Sequence, residues 1–244
     1  MDGTEVAVRA VESVGPDAVA VALAAPAGFD AQPGQFVQVG ATVGGEQVAR
    51  HYTLSSPGVS ASDGSSDESD GADETFEVTV EVDPEGSLSP YLADLESGDT
   101  VEVAGPFGDA YYEGEESVVV LAGGPGVGPA VGIGERALGE AQRASEGSSG
   151  DEPRDADGST VTVVYEDDAP IHEDRLTALA DSGATVAITD DVSSEDVLEV
   201  LADAQGQLFV YGFADFLDEA MAALDAAGVD AGDAKTENFG PAPE

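Results

Sequence analysis

The 244-residue chain carries 51 acidic residues against 7 basic ones, a formal net charge of −44, with two histidines and no cysteine. That charge excludes nucleic acid and anionic membranes as partners, because there is no basic patch to release counterions from phosphates. The lack of cysteine excludes disulfides, thiolate zinc sites and cysteine-ligated clusters, and no apolar run approaches the roughly 20 residues of a membrane span.

The N-terminus, Met1-Asp2-Gly3-Thr4-Glu5, lacks a basic region followed by an apolar one, so it is no secretory signal and a cytoplasmic location is expected. The first half then reads as β. Thr4 to Val11, Ala18 to Ala24 and Phe36 to Val39 are short β-prone runs broken by Gly and Pro. Arg50-His51-Tyr52-Thr53-Leu54-Ser55-Ser56-Pro57 follows. An arginine is scarce here, and its guanidinium fork suits a pair of phosphate oxygens. Tyr52 falls on the same side of an extended strand as Arg50, where its ring can cover an aromatic cofactor. Thr53 adds a hydroxyl and a backbone N–H beside it. His51 is expected to face away.

Alternation returns at Phe76 to Val82, as on a half-buried antiparallel strand, and briefly at Val101-Glu102-Val103. Gly86-Ser87-Leu88-Ser89 opens a helical stretch over Leu88 to Leu95, and small residues before a helix leave backbone N–H groups free for a pyrophosphate. Short strands with turns between them predict a small barrel.

Beyond about Gly114 the period changes. Val118 to Leu121, Val161 to Tyr165, Thr185 to Ile188 and Leu208 to Tyr211 are unbroken apolar runs, the pattern of strands covered on both faces of a parallel sheet. Helices are predicted between them at Pro129 to Ala144, His172 to Asp181, Ser194 to Ala204 and Asp215 to Ala227. Ala122-Gly123-Gly124-Pro125-Gly126-Val127-Gly128-Pro129 joins the first run to the first helix. In that context glycines admit a ligand close to the backbone, and the helix start favours its anionic groups. Strand–helix alternation predicts a doubly wound α/β unit. Ser60 to Glu74 and Ser145 to Ser159, rich in Ser, Gly, Asp and Glu, read as solvated insertions.

These motifs, in this order, resemble the ferredoxin–NADP reductase superfamily from about Pro33-Gly34-Gln35-Phe36 to Glu237-Asn238-Phe239. The acid excess and the single lysine, Lys235, resemble proteins of extreme halophiles, as in an acidic haloarchaeal-type member. The resemblance implies a six-stranded antiparallel Greek-key barrel over 1–113 that binds FAD, then a parallel α/β nicotinamide-nucleotide domain over 114–244. Arg50, Tyr52 and Thr53 match the family's Arg-x-Tyr-Ser/Thr strand, with the phosphate on Arg50, the isoalloxazine on Tyr52 and flavin N5 near Thr53. Tyr52 and Thr53 are thus the expected catalytic contacts. Gly86, Ser87, Leu88 and Ser89 match the pyrophosphate segment. Gly123, Gly124 and Gly126 match the nicotinamide-nucleotide loop, and Tyr211 and Gly212 match the late Cys-Gly of the family.

The implied activity is hydride transfer between NAD(P)H and FAD, with electrons passed on to ferredoxin or another separate redox protein. Glu166, followed by two aspartates, suits a ribose hydroxyl and repels a 2′-phosphate, so NADH is expected over NADPH. With Tyr211 in place of the family cysteine, the bulky ring is expected to narrow the nicotinamide slot. The alternative is therefore a flavin-binding electron-transfer or regulatory subunit with an impaired nicotinamide site. Glu237 and Phe239 resemble the family's C-terminal acid–aromatic pair, which can approach the flavin, but are read here as a surface acid and a core phenylalanine.

Overall fold

The computed structural model describes residues 3–56, 74–146 and 160–240, so the two expected insertions lie outside the described residues apart from their edges. Alternation builds the first sheet. Along β5 (Thr75–Glu81), Phe76, Val78 and Val80 are buried in one interior. They meet there with inward residues of β1 (Thr4–Gly15), β2 (Ala18–Ala24), β3 (Phe36–Val43) and β6 (Thr100–Phe107). With β4 (Glu46–Thr53), these six antiparallel strands run in the order β4-β3-β6-β1-β2-β5. The order is that of a Greek key, since β6 inserts between two hairpins. The sheet closes where Leu54, just past β4, bridges Val78 of β5. The short helix α1 (Leu88–Ala93) buries Leu88 and Leu92 against the same interior.

Several strands run further than expected. β3 continues to Val43 because Gly44 and Gly45, both at positive φ, form a two-residue turn that pairs Val43 with Glu46.

The second half holds a parallel sheet in the order β11-β10-β7-β8-β9. Its strands are β7 (Val118–Gly123), β8 (Val161–Glu166), β9 (Thr185–Thr189), β10 (Gln207–Gly212) and β11 (Lys235–Asn238). Every residue of β7 is buried, as its unbroken apolar run predicts. Helices α2 (Val127–Glu146) and α3 (Glu173–Asp181) cover one face, and α4 (Glu195–Asp203) and α5 (Ala214–Ala226) cover the other. β11 was not expected, because Lys-Thr-Glu-Asn has neither an apolar run nor alternation; pairing with β10 creates it. The strand order reverses between β7 and β10. Their carboxyl ends, Gly123 and Gly212, therefore stand at the topological switch point, where open α/β sheets bind ligands.

The two sheets pack closely. The face of β5 expected to be polar and solvated instead meets α3, and Thr79 is buried there with its Oγ1 2.8 Å from His172 Nε2. No described helix is long and apolar enough to cross a membrane.

Candidate functional site

The barrel presents β4 to the gap between the sheets. Arg50 is exposed and bonds through Nη1 only to the neighbouring Ala49 carbonyl, at 2.9 Å. Among the described residues it forms no ion pair, in a chain with a large excess of carboxylates. Tyr52 is half-buried, and burial pushes its phenol up to about 12, with Arg50 pulling weakly the other way. The hydroxyl is therefore a proton donor at any ordinary pH. Thr53, also half-buried, ends the strand opposite Phe36.

Facing β4 is the turn that leads into α1. The Gly86 N–H donates to the Asp83 carbonyl at 3.0 Å, and Ser89 Oγ accepts from the Asp83 N–H at 3.1 Å. Ser87 occupies the helix N-cap position, yet its side chain caps nothing, so its hydroxyl is free of helix duty. Leu88 is buried beneath. All seven of these barrel residues, Arg50, Tyr52, Thr53 and 86–89, border one cavity of about 710 Å³.

The α/β half closes the other side. After Gly123, Gly124–Gly126 forms a single 3-10 turn, and the loop reaches the cavity through Pro125. The glycines themselves serve packing. A side chain on Gly123 or Gly212 would run into the Phe216 ring, and one on Gly126 would strike the Tyr211 carbonyl. Gly123, Gly126 and Gly212 thus let the loop and β10 close up, Gly124 takes the left-handed turn at φ +53°, and Pro125 and Phe213 provide the wall. Glu166 ends β8 away from this cavity. Its Oε2 accepts from the Val192 N–H at 2.6 Å, and burial raises its carboxyl against that bond.

Tyr211 does not narrow a nicotinamide slot. Strand alternation turns its ring toward the barrel, where it is fully buried and its hydroxyl donates to the Ala110 carbonyl at 2.6 Å. The expected obstruction is an interdomain tie. Pro33-Gly34-Gln35 has a related role, since Gly34, at φ +100°, lies against Tyr111 and the Tyr211 hydroxyl where a side chain has no room.

Three residues undervalued in the sequence also border the cavity: Glu237, Asn238 and Phe239, delivered by β11. Phe239 donates its N–H to the Gly212 carbonyl at 2.9 Å and meets Phe213 edge-on at 6.0 Å. Burial, reinforced by Asp109, raises the Glu237 carboxyl. His51 borders the same cavity, edge-on to Phe36 at 5.4 Å, although the motif suggested it turned away. For Glu237 and Phe239 the sequence signal was their likeness to a C-terminal acid–aromatic pair, set aside there for a surface acid and a core phenylalanine.

Comparison with known proteins agrees with this geometry. Residues 5–112, the barrel, match the oxidoreductase FAD-binding domain family. The chain is 36% identical over 98 residues to NADH-cytochrome b5 reductase 1 of Dictyostelium discoideum, covering 39% of this chain and 30% of that protein. It is 44% identical over 68 residues to a probable dihydroorotate dehydrogenase B (NAD(+)) electron transfer subunit of Methanopyrus kandleri, covering 28% of this chain and 25% of the relative. The matched segments thus span less than a third of these curated relatives. The FAD/NAD-binding domain of a nitric oxide dioxygenase from Vibrio cholerae has the same fold, with a TM-score of 0.73 at 20% identity over 99% of this chain and 100% of that one.

Proposed function

We propose that this chain binds FAD across a barrel spanning 1–113, binds a nicotinamide nucleotide on an α/β domain spanning 114–244, and passes a hydride between them. The observation that carries the reading is one shared cavity. Arg50, Tyr52, Thr53 and the 86–89 turn border it from the barrel, while Pro125, Phe213 and Phe239 border it from the switch point. Its volume, about 710 Å³, lies in the usual range for a cofactor site. The donors present fit FAD: an arginine with no carboxylate partner among the described residues for the phosphates, a serine hydroxyl on the same cavity that caps no helix, and a phenol ring for the isoalloxazine.

When bound, the flavin and nicotinamide supply the redox chemistry. The chain's part is orientation. Arg50 and Ser87 hold the phosphates. Tyr52 covers one ring face with its hydroxyl protonated. Thr53 would offer its hydroxyl and N–H to the flavin. Pro125, Phe213 and Phe239 exclude water from the contact between the rings. Gly123, Gly124, Gly126 and Gly212 set the loop height that lets the second nucleotide in. Glu166 accepts from the ribose, and its negative surroundings disfavour a 2′-phosphate, so NADH is the donor. Electrons then pass to a separate redox protein, a ferredoxin being one such acceptor. The setting is cytoplasmic, and the acidic surface requires concentrated salt, where screening over roughly 3 Å removes its self-repulsion.

The likeness to an electron transfer subunit favours a second reading, a flavin-bearing subunit that hands electrons to a partner without turning over NADH alone. One experiment separates the two. The protein is purified in concentrated salt, loaded with FAD and mixed with NADH or NADPH without oxygen. Rapid bleaching of the flavin bands by NADH, at a kcat/KM at least about tenfold above that for NADPH, is expected. A persistent oxidised spectrum supports the second reading, and a protein that takes up no FAD defeats both. Equal kinetics with NADPH would remove the role given to Glu166, and unchanged activity in dilute buffer would remove the salt requirement.

A further inference from the structure

The cavity leaves unexplained the end of the Arg50 motif, Leu54-Ser55-Ser56, which lies outside it. We infer that Arg175 on α3 is a positioning residue for the transfer, holding the end of the Thr53 strand at a fixed place relative to the α/β sheet. The inference rests on the flavin–nicotinamide reading above.

Ser55 stands two residues past Thr53 and is fully buried. All of its polar groups are engaged. Its N–H donates to the Glu77 carbonyl at 2.9 Å, its hydroxyl donates to Glu77 Oε1 at 2.7 Å, and its carbonyl accepts from Arg175 Nη2 at 2.6 Å. Arg175 brings the second domain to that carbonyl. Its Nε and Nη2 form a fork on Glu135 of α2 at 2.7 and 2.8 Å, and its Nη1 reaches Glu77 Oε1 on β5 at 2.9 Å. One planar group thus ties two helices of the α/β half to two segments of the barrel. Only a guanidinium offers donors in that fixed fan; an ammonium can serve some of these acceptors but not all at once.

A second contact acts on the same segment. α2 presents Gly132 there, and a side chain at that position would come within 2.7 Å of the Ser56 carbonyl. The helix backbone therefore packs directly on residues 55–56, while the guanidinium fixes them from α3. Arg175 borders no part of the cavity. Its influence must pass through Ser55 to Thr53, so it acts on geometry and not on ligand contact. Transfer between stacked rings is sensitive to such geometry, since a displacement of about 1 Å can cost 100-fold in rate.

The test compares the full-length wild type with Arg175→Met and Arg175→Lys, each loaded with FAD in concentrated salt. Flavin affinity is read by fluorescence, and flavin reduction by NADH is followed anaerobically by stopped flow. The methionine variant should keep its FAD Kd and its apparent Kd for NADH within about threefold of wild type. Its limiting reduction rate should fall about 10- to 100-fold, and lysine should restore part of that loss. A methionine variant reduced within about twofold of the wild-type rate overturns the inference, as does a rate loss that only follows lost FAD binding. If the methionine variant does not fold, Arg175→Lys carries the test: an ammonium cannot keep the fork on Glu135 and both barrel contacts, so it should still slow reduction several-fold, about threefold or more, and a wild-type rate there overturns the inference. A wild type that binds no FAD or resists NADH defeats the parent reading instead.

Discussion

Replacing Tyr211 with Phe decides whether this ring belongs to the interdomain contact or to the nicotinamide slot. The Tyr211 side chain is fully buried, and its hydroxyl donates to Ala110 at 2.6 Å. The substitution keeps the ring and removes only the donor, leaving a buried carbonyl without it. Such a loss costs about 1–3 kcal/mol, and about 2 kcal/mol is a fair central value. At roughly 3 °C per kcal/mol for a chain of this length, Tm should fall by about 6 °C. Thermal melts in concentrated salt, followed by near-ultraviolet circular dichroism, measure this directly. The same variant should keep the NADH KM of the wild type, because the hydroxyl faces the barrel and not the cavity. An unchanged Tm together with an altered KM would refute this placement and return Tyr211 to the slot.

Arg50→Met should leave Tm unaltered, since Arg50 contributes no ion pair to the fold, but should weaken FAD binding about tenfold, as expected for one exposed charge-assisted contact. Flavin fluorescence titration at two salt concentrations checks this, and the wild-type advantage should shrink as salt rises. His172 is buried against Thr79, and burial, aided by Arg175, pushes its pKa from 6.5 down to about 4. As pH falls from about 6.5 toward 4, the unfolded chain binds a proton that the folded chain refuses, so stability falls, by up to about 3 kcal/mol. His172→Asn, which tolerates the left-handed backbone at this position, should flatten that slope in denaturant melts taken across the window. Glu81 and Glu237, raised by burial, work in the opposite sense in both proteins, so only the difference between the two slopes is diagnostic. Identical slopes would show that His172 is not buried as a neutral group.

Two periodicities made most of the fold legible. The alternation at Phe76 to Val82 and the apolar run at Val118 to Leu121 each report which faces are covered, and the structure covers them. Neither pattern says what does the covering. Thr79 reads as a solvent-facing residue because the barrel alone would leave it there, and the α/β half buries it, through His172 before α3 and Gly128 of α2. Tyr211 reads as a slot residue because it stands at the family's cysteine position, and that match does not say which way a larger ring turns; in the structure it packs toward Ala110. β11 was invisible because its pairing is supplied by β10, and Lys235 holds its place over the Phe209 ring at 5.2 Å. With β11 unseen, the likeness of Glu237 and Phe239 to an acid–aromatic pair near the flavin had no strand to place it, and the plainer surface and core reading prevailed. The Arg50 strand stood out because arginine is scarce in so acidic a chain, whereas the 86–89 turn on its own reads as well as a plain serine cap; the structure sets both on one cavity.

The placement of the few cations makes the same point in physical terms. Where carboxylates crowd the surface, a cation outside a specific site is neutralised by whichever acid is nearest, and in salt that pairing is worth little. Lys235 instead grips Glu113, Glu115 and the Tyr111 carbonyl, fastening the segment between the two sheets to β11. Arg175 grips two glutamates and a buried carbonyl across the domain interface, with its side chain 24% exposed. Arg50 alone among these three grips no acid and faces a cavity. Two of the three cations thus tie the barrel to the α/β half, while the third, at the cavity, pairs with no acid among the described residues. That division is the one the proposed function calls for: a rigid frame at the interface, and one open charge for an anionic coenzyme.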